Sequence, residues 1–455
     1  MEKKKQNQLG TERLGKLIIS MAVPSILAQL INVLYNIVDR IYIGHIEGYG
    51  DIALTGVGVT FPIITLIAAF SNFAGMGGAP LASMKLGQKD LEGAKKILGT
   101  STVMLLSFSV ILTVVFTIFK NPILYAFGAS DATIIYAAEY IGIYLIGTVF
   151  VQLSMGLNTF ISGQGYAKVA MLSICLGAGI NIILDPILIF GFGLGVRGAA
   201  IATVISQACS AVWVVGFLTS RKSEIRLEKK YIVLHKKFLM QISALGISPF
   251  IMSSTESLVT ITLNSSLQKY GGDIYVGSMS ILLSCMQLII VPVRGLSNGI
   301  QPIISYNYGA GNRPRVVGTI QRMIGLCLGG SLIMGCIPIF FPEILASMFT
   351  DNQELFRLTV EVMPVFFLGT WIFGMQTAVQ GTFLALGQAK VSIAIALLRK
   401  VILLVPLAMI LPRFLGVMGV YYAEPIADTA SVLIATTIFL CTIRKILMIE
   451  SEGKS

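Results

Sequence analysis

Twelve apolar runs follow one another along this 455-residue chain, at roughly 17–44, 52–82, 97–119, 132–160, 169–191, 198–219, 239–267, 274–306, 316–341, 356–386, 391–411 and 417–442. Each is long enough to cross about 30 Å of hydrocarbon as a helix. Inside lipid every backbone N–H and C=O must find its partner within the protein, so spans of this length form helices. The chain is 55% hydrophobic and 12% charged, where soluble domains carry about 25% charged residues. A mean hydropathy of +0.83 excludes a soluble core. The expectation is an all-α polytopic membrane protein with twelve transmembrane helices.

The net charge of +11 reads as topology rather than as a nucleic-acid surface. Of the 33 Lys and Arg, 24 fall on one side of the predicted membrane, five on the other, and four (Arg40, Arg294, Arg399 and Lys400) inside spans. Basic residues favour the cytoplasmic side, which places both termini there. The six cysteines all fall inside spans with no motif spacing, against disulfides or a zinc site. The first apolar run is too long for a signal-peptide core and no cleavage site follows it, so the first span is expected to be retained.

The chain is written twice. At an offset of 222 residues Glu139 falls on Glu361, Gly147–Thr148 on Gly369–Thr370, Pro80 on Pro302 and Gly87 on Gly309. "GYAKV" from Gly165 falls on "GQAKV" from Gly387, and at 221 "GVRGAAIA" from Gly195 falls on "GVMGVYYA" from Gly416. Each half holds six spans, an even number, so both enter from the same side and are related by a pseudo-two-fold axis along the membrane normal. The expected organisation is an N-terminal lobe at 1–220, a cytoplasmic linker at 221–238, a C-terminal lobe at 239–443 and a cytoplasmic tail at 444–455. Transporters built from two such bundles hold cargo between them and rock one against the other.

Charged residues inside spans are costly, on the order of 3 kcal/mol each on insertion scales, and mark ion or substrate paths. Asp39 lies five residues before the predicted outer end of span 1, Asp185 six before that of span 5, and Thr203 five into span 6. At 1.5 Å per residue all three sit about 8 Å below the outer surface. Asn181 and Tyr35 lie one turn below Asp185 and Asp39. The cluster of Asp39, Asn181, Asp185, Thr203 and Tyr35 offers hard oxygen ligands for a Na⁺ ion or a shared proton; the alternative is that each carboxylate is capped locally and idle. Pro24 and Pro186 are candidate hinges, since proline interrupts the helical ladder; static kinks are the alternative.

The second half does not repeat the pair: Val405 aligns with Asp185, although Pro406 survives beside it. Glu256, alone on span 7, together with Gln287, Gln376, Glu424 and Asp428, is a candidate lining of the substrate cavity. Glu424 and Asp428 either face that cavity or pair with Arg399 or Lys400. Glu139 and Glu361 read as solvated helix ends. No phosphate-binding glycine loop and no histidine cluster is present: His45 and His235 are the only histidines, and both sit in loops. Neither an ATP motor nor an enzyme is expected.

"VDRIYIG" closing span 1, "NIILDPILIFGFGLGVRGAA" across spans 5 and 6, and "YNYGAGN" after span 8 resemble the multidrug and toxic compound extrusion (MATE) family, with span 5 most similar to its bacterial MepA-like branch. The resemblance covers about residues 10 to 445. It implies the MATE/MOP-type fold, a V-shaped pair of bundles, and secondary active export of amphipathic organic cations in exchange for H⁺ or Na⁺. It implies a cation site at Asp39, Asn181, Asp185 and Thr203, with Tyr35 and Pro24 in support. Glu256 resembles a span 7 carboxylate of the NorM-like branch, but "FGMQTAVQG" lacks that branch's span 10 aspartate. A lipid-linked saccharide or lipid flippase of the same superfamily is the alternative; such proteins line their cavity with basic residues, whereas these spans hold several acids. No cofactor and no nucleic acid is expected. The expected partners are small cationic substrates and the bilayer, and the expected setting is a bacterial-type plasma membrane, with a single chain sufficing for function.

Overall fold

The computed structural model describes residues 8–350 and 352–452; the last three residues of the expected tail lie outside it. Among the described residues the chain is helical with no strand. Eleven helices are long and apolar enough to cross a membrane, and a bent pair makes twelve. They are α1 (Leu14–Gly44), α2 (Gly50–Gly87), α3 (Leu91–Ile118), α4 (Ile134–Ile146 with Thr148–Gly163), α5 (Ala167–Gly191), α6 (Gly195–Thr219), α7 (Lys236–Tyr270), α8 (Asp273–Gly309), α9 (Arg313–Phe340), α10 (Gln353–Ala385), α11 (Ala389–Leu415) and α12 (Met418–Leu447). The twelve-span, all-α expectation holds, with α4 broken by 59° at Gly147.

The helices gather into two compact units. One comprises Leu27–Ser253 with the N-terminal segment through Thr11, and the other comprises Glu12–Ile26 with the chain from Ser254 onward. Thus α1 and α7 each divide between units. The change comes three residues after Pro24 in α1 and five after Pro249 in α7. The linker packs on the first unit: the Gln164 side-chain oxygen accepts from Ile225 N at 2.8 Å and from Ser223 Oγ at 3.0 Å, and Lys95 pairs with Glu228.

Apolar side chains gain little from burial when the surroundings are lipid, so close backbone approach and internal hydrogen bonds must hold the helices together. In the first unit a side chain on Gly75 would lie 2.9 Å from the Gly156 Cα. In the second, side chains on Gly295 and Gly299 would lie 2.7 Å from the Cα atoms of Ile26 and Ala22 on the first half of α1. Larger residues at these positions would force the helices apart.

The internal repeat appears as repeated devices. Ser83 Oγ donates to Gly163 O at 2.7 Å, and 222 residues on Ser305 Oγ donates to Ala385 O at 2.8 Å. Asp90 caps the Gly93 N–H, and Asn312 caps that of Arg315. Gly147, at the α4 break, lies against Val204, while Gly369, in the 3₁₀ stretch Phe367–Ile372 of α10, lies against Pro425. Both α5 and α11 contain π-helical turns, Ile187–Gly191 and Leu398–Leu404, beside their matching prolines. Proline removes a donor from the ladder, and a wider turn accommodates the carbonyl left over.

One position breaks the match in chemistry. The residue before the Asn312 cap is Gly311 at φ +72, while before Asp90 it is Lys89 at φ +62. A left-handed backbone costs a residue with a side chain roughly 1–2 kcal/mol. Lys89→Gly is therefore expected to stabilise the purified protein by about 1 kcal/mol, measured as a rise in its thermal unfolding midpoint in detergent; an unchanged or lowered midpoint would show that the turn carries no such strain.

Candidate functional site

The first unit brings its predicted polar residues together. The carboxyls of Asp39 on α1 and Asp185 on α5 are neighbours. Asn181 Nδ2 donates to Asp185 Oδ1 at 3.2 Å, the one-turn spacing expected of positions i and i+4. Thr203 on α6 meets the hydroxyl of Tyr140 on α4. Gly198 admits this approach: a side chain there would lie 2.7 Å from the Leu188 carbonyl carbon, in the π turn after Asp185. The wider turn and the glycine together let α6 close onto α5.

Asp185 and Asn181 are fully buried, and Thr203 nearly so. Tyr35 borders the cluster, beside Tyr144 and Asp39. Arg40, next to Asp39 in sequence, does not neutralise it by direct contact; its guanidinium lies over the Phe61 ring, 4.1 Å from the centroid. Three buried acceptor oxygens here have no hydrogen-bond partner: Asp39 Oδ1, Asn181 Oδ1 and Asp185 Oδ2. Leaving a buried acceptor unpaired costs about 1–3 kcal/mol. Three in one cluster, two of them on carboxyl groups, form a place that a small cation or a proton would satisfy. Hard oxygens suit Na⁺, and paired carboxyls suit a proton.

Tyr140 was not among the residues predicted from sequence. Its signal was available: it follows Glu139 near the outer end of span 4, at the depth of the others. Glu139 itself meets Arg197 at 2.6 Å.

The second unit is built differently. Glu424 and Asp428, one turn apart on α12, both meet Arg399 of α11: Nη2 donates to Glu424 Oε1 at 2.7 Å and Nε to Asp428 Oδ1 at 2.5 Å. The guanidinium lies over Phe373, 4.6 Å from its centroid. Of the two roles open from sequence, pairing with Arg399 is the one found. Glu424 stands 221 residues after Thr203, so an acid holding Arg399 occupies the repeat position of that hydroxyl. Glu256, expected to stand alone, is flanked by Arg294 of α8 and Lys400 of α11, each at 3.3 Å from its Oε1. Sequence could not pair them because the orientations of α8 and α11 were unknown. Gln376 is buried and accepts from Ser431 Oγ at 2.5 Å; Gln287 is exposed.

A family model described as MatE matches residues 24–187 and 249–410, most of the chain and both repeats. The chain belongs to the MatE family. It is a multi-pass membrane transporter and not an enzyme. Similar proteins include the multidrug export protein MepA of Staphylococcus aureus strain MSSA476, 26% identical with 93% of each chain covered. MepA of Staphylococcus haemolyticus strain JCSC1435 is also 26% identical, over 96% of this chain and 97% of that one. Among solved structures, a MATE crystal structure in the bent conformation superposes with a TM-score of 0.91 at 23% identity, over 100% of both chains. An outward-facing multidrug resistance MATE transporter of the MOP superfamily gives 0.91 at 23% identity, over 98% of this chain and 99% of that one. The MATE fold is therefore shared across the whole chain.

Removing one member of a buried ion cluster leaves its partners uncompensated, a loss of roughly 3–5 kcal/mol, whereas replacing the whole cluster with apolar residues is often neutral. Arg399→Met is accordingly expected to destabilise this MATE protein by about 3–5 kcal/mol. The triple variant Arg399→Met, Glu424→Leu, Asp428→Leu should recover most of that loss. Unfolding of both variants in detergent checks this; a triple variant no better than the single one would contradict it.

Proposed function

We propose that this MATE transporter is a secondary active multidrug exporter that moves amphipathic organic cations out of the cell in exchange for H⁺ or Na⁺. The observation that carries the coupling is the convergence of Asp39 Oδ1, Asn181 Oδ1 and Asp185 Oδ2 as buried acceptors without donors. A cation entering there is held by opposite charge in a place of low dielectric. Loss of that cation leaves two close carboxyls that cannot both remain ionised without repulsion. The ion's presence thus changes how tightly α1, α5 and α6 are drawn together, which is the differential energy an exchange cycle needs.

Pro24 is the hinge in this reading. Its ring removes the hydrogen bond to the Ser20 carbonyl, and it lies three residues from the point where α1 passes from one compact unit to the other. Bending there would move Asp39, fifteen residues on, without unfolding either half of the helix. Pro186, at the start of the α5 π turn, gives Asp185 a second point of adjustment. Alternating access then proceeds by rocking of the two bundles. The coupling ion is assigned to the first unit, because the acids of the second already have Arg294, Arg399 and Lys400 beside them. Tyr35 and Thr203 complete the oxygen set, and a single chain carries out the cycle. The names of the MepA relatives support multidrug export as the activity, and the charge bias supports cytoplasmic termini.

Two measurements test this reading. Ethidium uptake into everted vesicles, driven in turn by a pH gradient and a Na⁺ gradient, should occur with one of them and fall at least about tenfold, or 1.4 kcal/mol in barrier, in both Asp39→Asn and Asp185→Asn, for every dye tried. Export at the wild-type rate by either variant would mean that its carboxylate is idle. For topology, single cysteines placed between Arg221 and Lys230 should react with an impermeant thiol reagent in everted vesicles but not in intact cells; the reverse pattern would invert the orientation.

A further inference from the structure

The linker between the repeats carries a pattern of charge that the ion exchange described above does not use. From Arg221 to Lys237 it holds seven basic residues against two acids. One of those acids, Glu228, already pairs with Lys95 of α3. The end of the linker is pinned to α3. The Thr100 hydroxyl lies 3.3 Å from the Val233 carbonyl and accepts from the His235 N–H at 3.4 Å. Gly99 leaves room for the Tyr231 carbonyl, with which any side chain there would clash. Held in this way, Val233 and Leu234 are 53% and 48% exposed, although both are apolar.

The start of α7 continues the pattern. Ile242 and Leu245 are buried on one face, while Lys236, Lys237, Met240, Gln241 and Ala244 are exposed on the other and line a shallow groove of about 580 Å³. Met240 and Ala244 lie about 6 and 12 Å beyond Lys236 along the helix, past a headgroup layer roughly 6 Å thick. Positive charge at the membrane surface with apolar side chains just beneath it is the layout that a phospholipid complements, phosphate outside and acyl chain inside. Lysine binds phosphate as a point charge, and methionine adapts to a flexible chain. A soluble phosphate would satisfy the lysines but leave Val233, Leu234 and Met240 facing water. A zwitterionic headgroup brings its own cation and gains less from the lysines. We propose that the junction of the linker with α7 binds an anionic phospholipid, its headgroup on Lys236 and Lys237 and an acyl chain along Met240 and Ala244. This site stands apart from the export cycle and holds whichever ion drives it.

The test reads contact at the groove itself. The chain has two tryptophans, so Met240→Trp in a Trp213→Phe, Trp371→Phe background leaves a single one, at the groove. Brominated acyl chains quench a tryptophan that they touch. The purified full-length protein is titrated in neutral detergent with phosphatidylglycerol and with phosphatidylcholine carrying the same brominated chains. Each basic residue beside an anionic headgroup is worth roughly fivefold in binding, so phosphatidylglycerol should reach half-quenching at a concentration at least about tenfold lower. Adding Lys236→Gln and Lys237→Gln should bring the two lipids within about twofold of each other. Adding Arg221→Gln and Lys222→Gln instead, an equal loss of charge elsewhere in the linker, should leave the preference intact. Glycerol phosphate in large excess, the headgroup without its chains, should not relieve the quenching. All of the exchanged side chains are exposed, and the unfolding midpoint checks that the fold is kept. Equal quenching by the two lipids, a preference that survives loss of both lysines, or one lost equally without Arg221 and Lys222 would overturn the proposal. Relief by glycerol phosphate would overturn it in favour of a soluble phosphate. Quenching by neither lipid would show that something other than lipid covers the groove.

Discussion

A carboxylate buried in a membrane protein needs an opposite charge beside it or a proton on it, and the charges that surround the acids differ between the two repeats of this chain. In the second unit it is supplied from within: Arg399 holds Glu424 and Asp428, and Arg294 and Lys400 flank Glu256. In the first unit Asp39 and Asp185 have each other, an amide and hydroxyls, while Arg40 lies over Phe61. In the proposed exchange, the compensating cation or proton comes from solution. On the proposed reading, one repeat carries its own cations beside its acids and the other takes up an ion.

The backbone serves that difference. α5 and α11 both widen into π turns beside a proline, but the consequence depends on which side chains the turn carries. In α5 the turn follows Asp185 and lets Gly198 of α6 close in, setting Thr203 near the cluster. In α11 the turn itself contains Arg399 and Lys400, which therefore reach acids on two different helices, α12 and α7. The same local device aims an acceptor in one unit and two cations in the other.

Much of this was legible in the sequence, for physical reasons. Span number followed from run length against the thickness of hydrocarbon, and the repeat from matched glycines and prolines, several of which prove to be left-handed turns, as at Gly165 and Gly387. The cluster of Asp39, Asn181, Asp185 and Thr203 was found from depth alone, because rise per residue is fixed. Helix rotation is not fixed by depth. The pairing of Arg399 with both Glu424 and Asp428 remained one of two options, since a π turn shifts the register that a 3.6-residue wheel assumes. The break at Gly147 and the division of α1 and α7 between units leave no mark on hydropathy. Glu256 looked solitary because its partners lie 38 and 144 residues away on helices of unknown orientation.

The most direct test is to count the ions bound by the purified, drug-free chain. Proton uptake on titration through neutral pH, with a parallel assay of radiolabelled Na⁺ binding, would be compared between the wild-type protein, Asp185→Asn and Glu256→Gln. A single ion site in the first unit predicts one exchangeable cation per chain, lost in Asp185→Asn and retained in Glu256→Gln. Two ions per chain, or one that survives Asp185→Asn and disappears in Glu256→Gln, would contradict it.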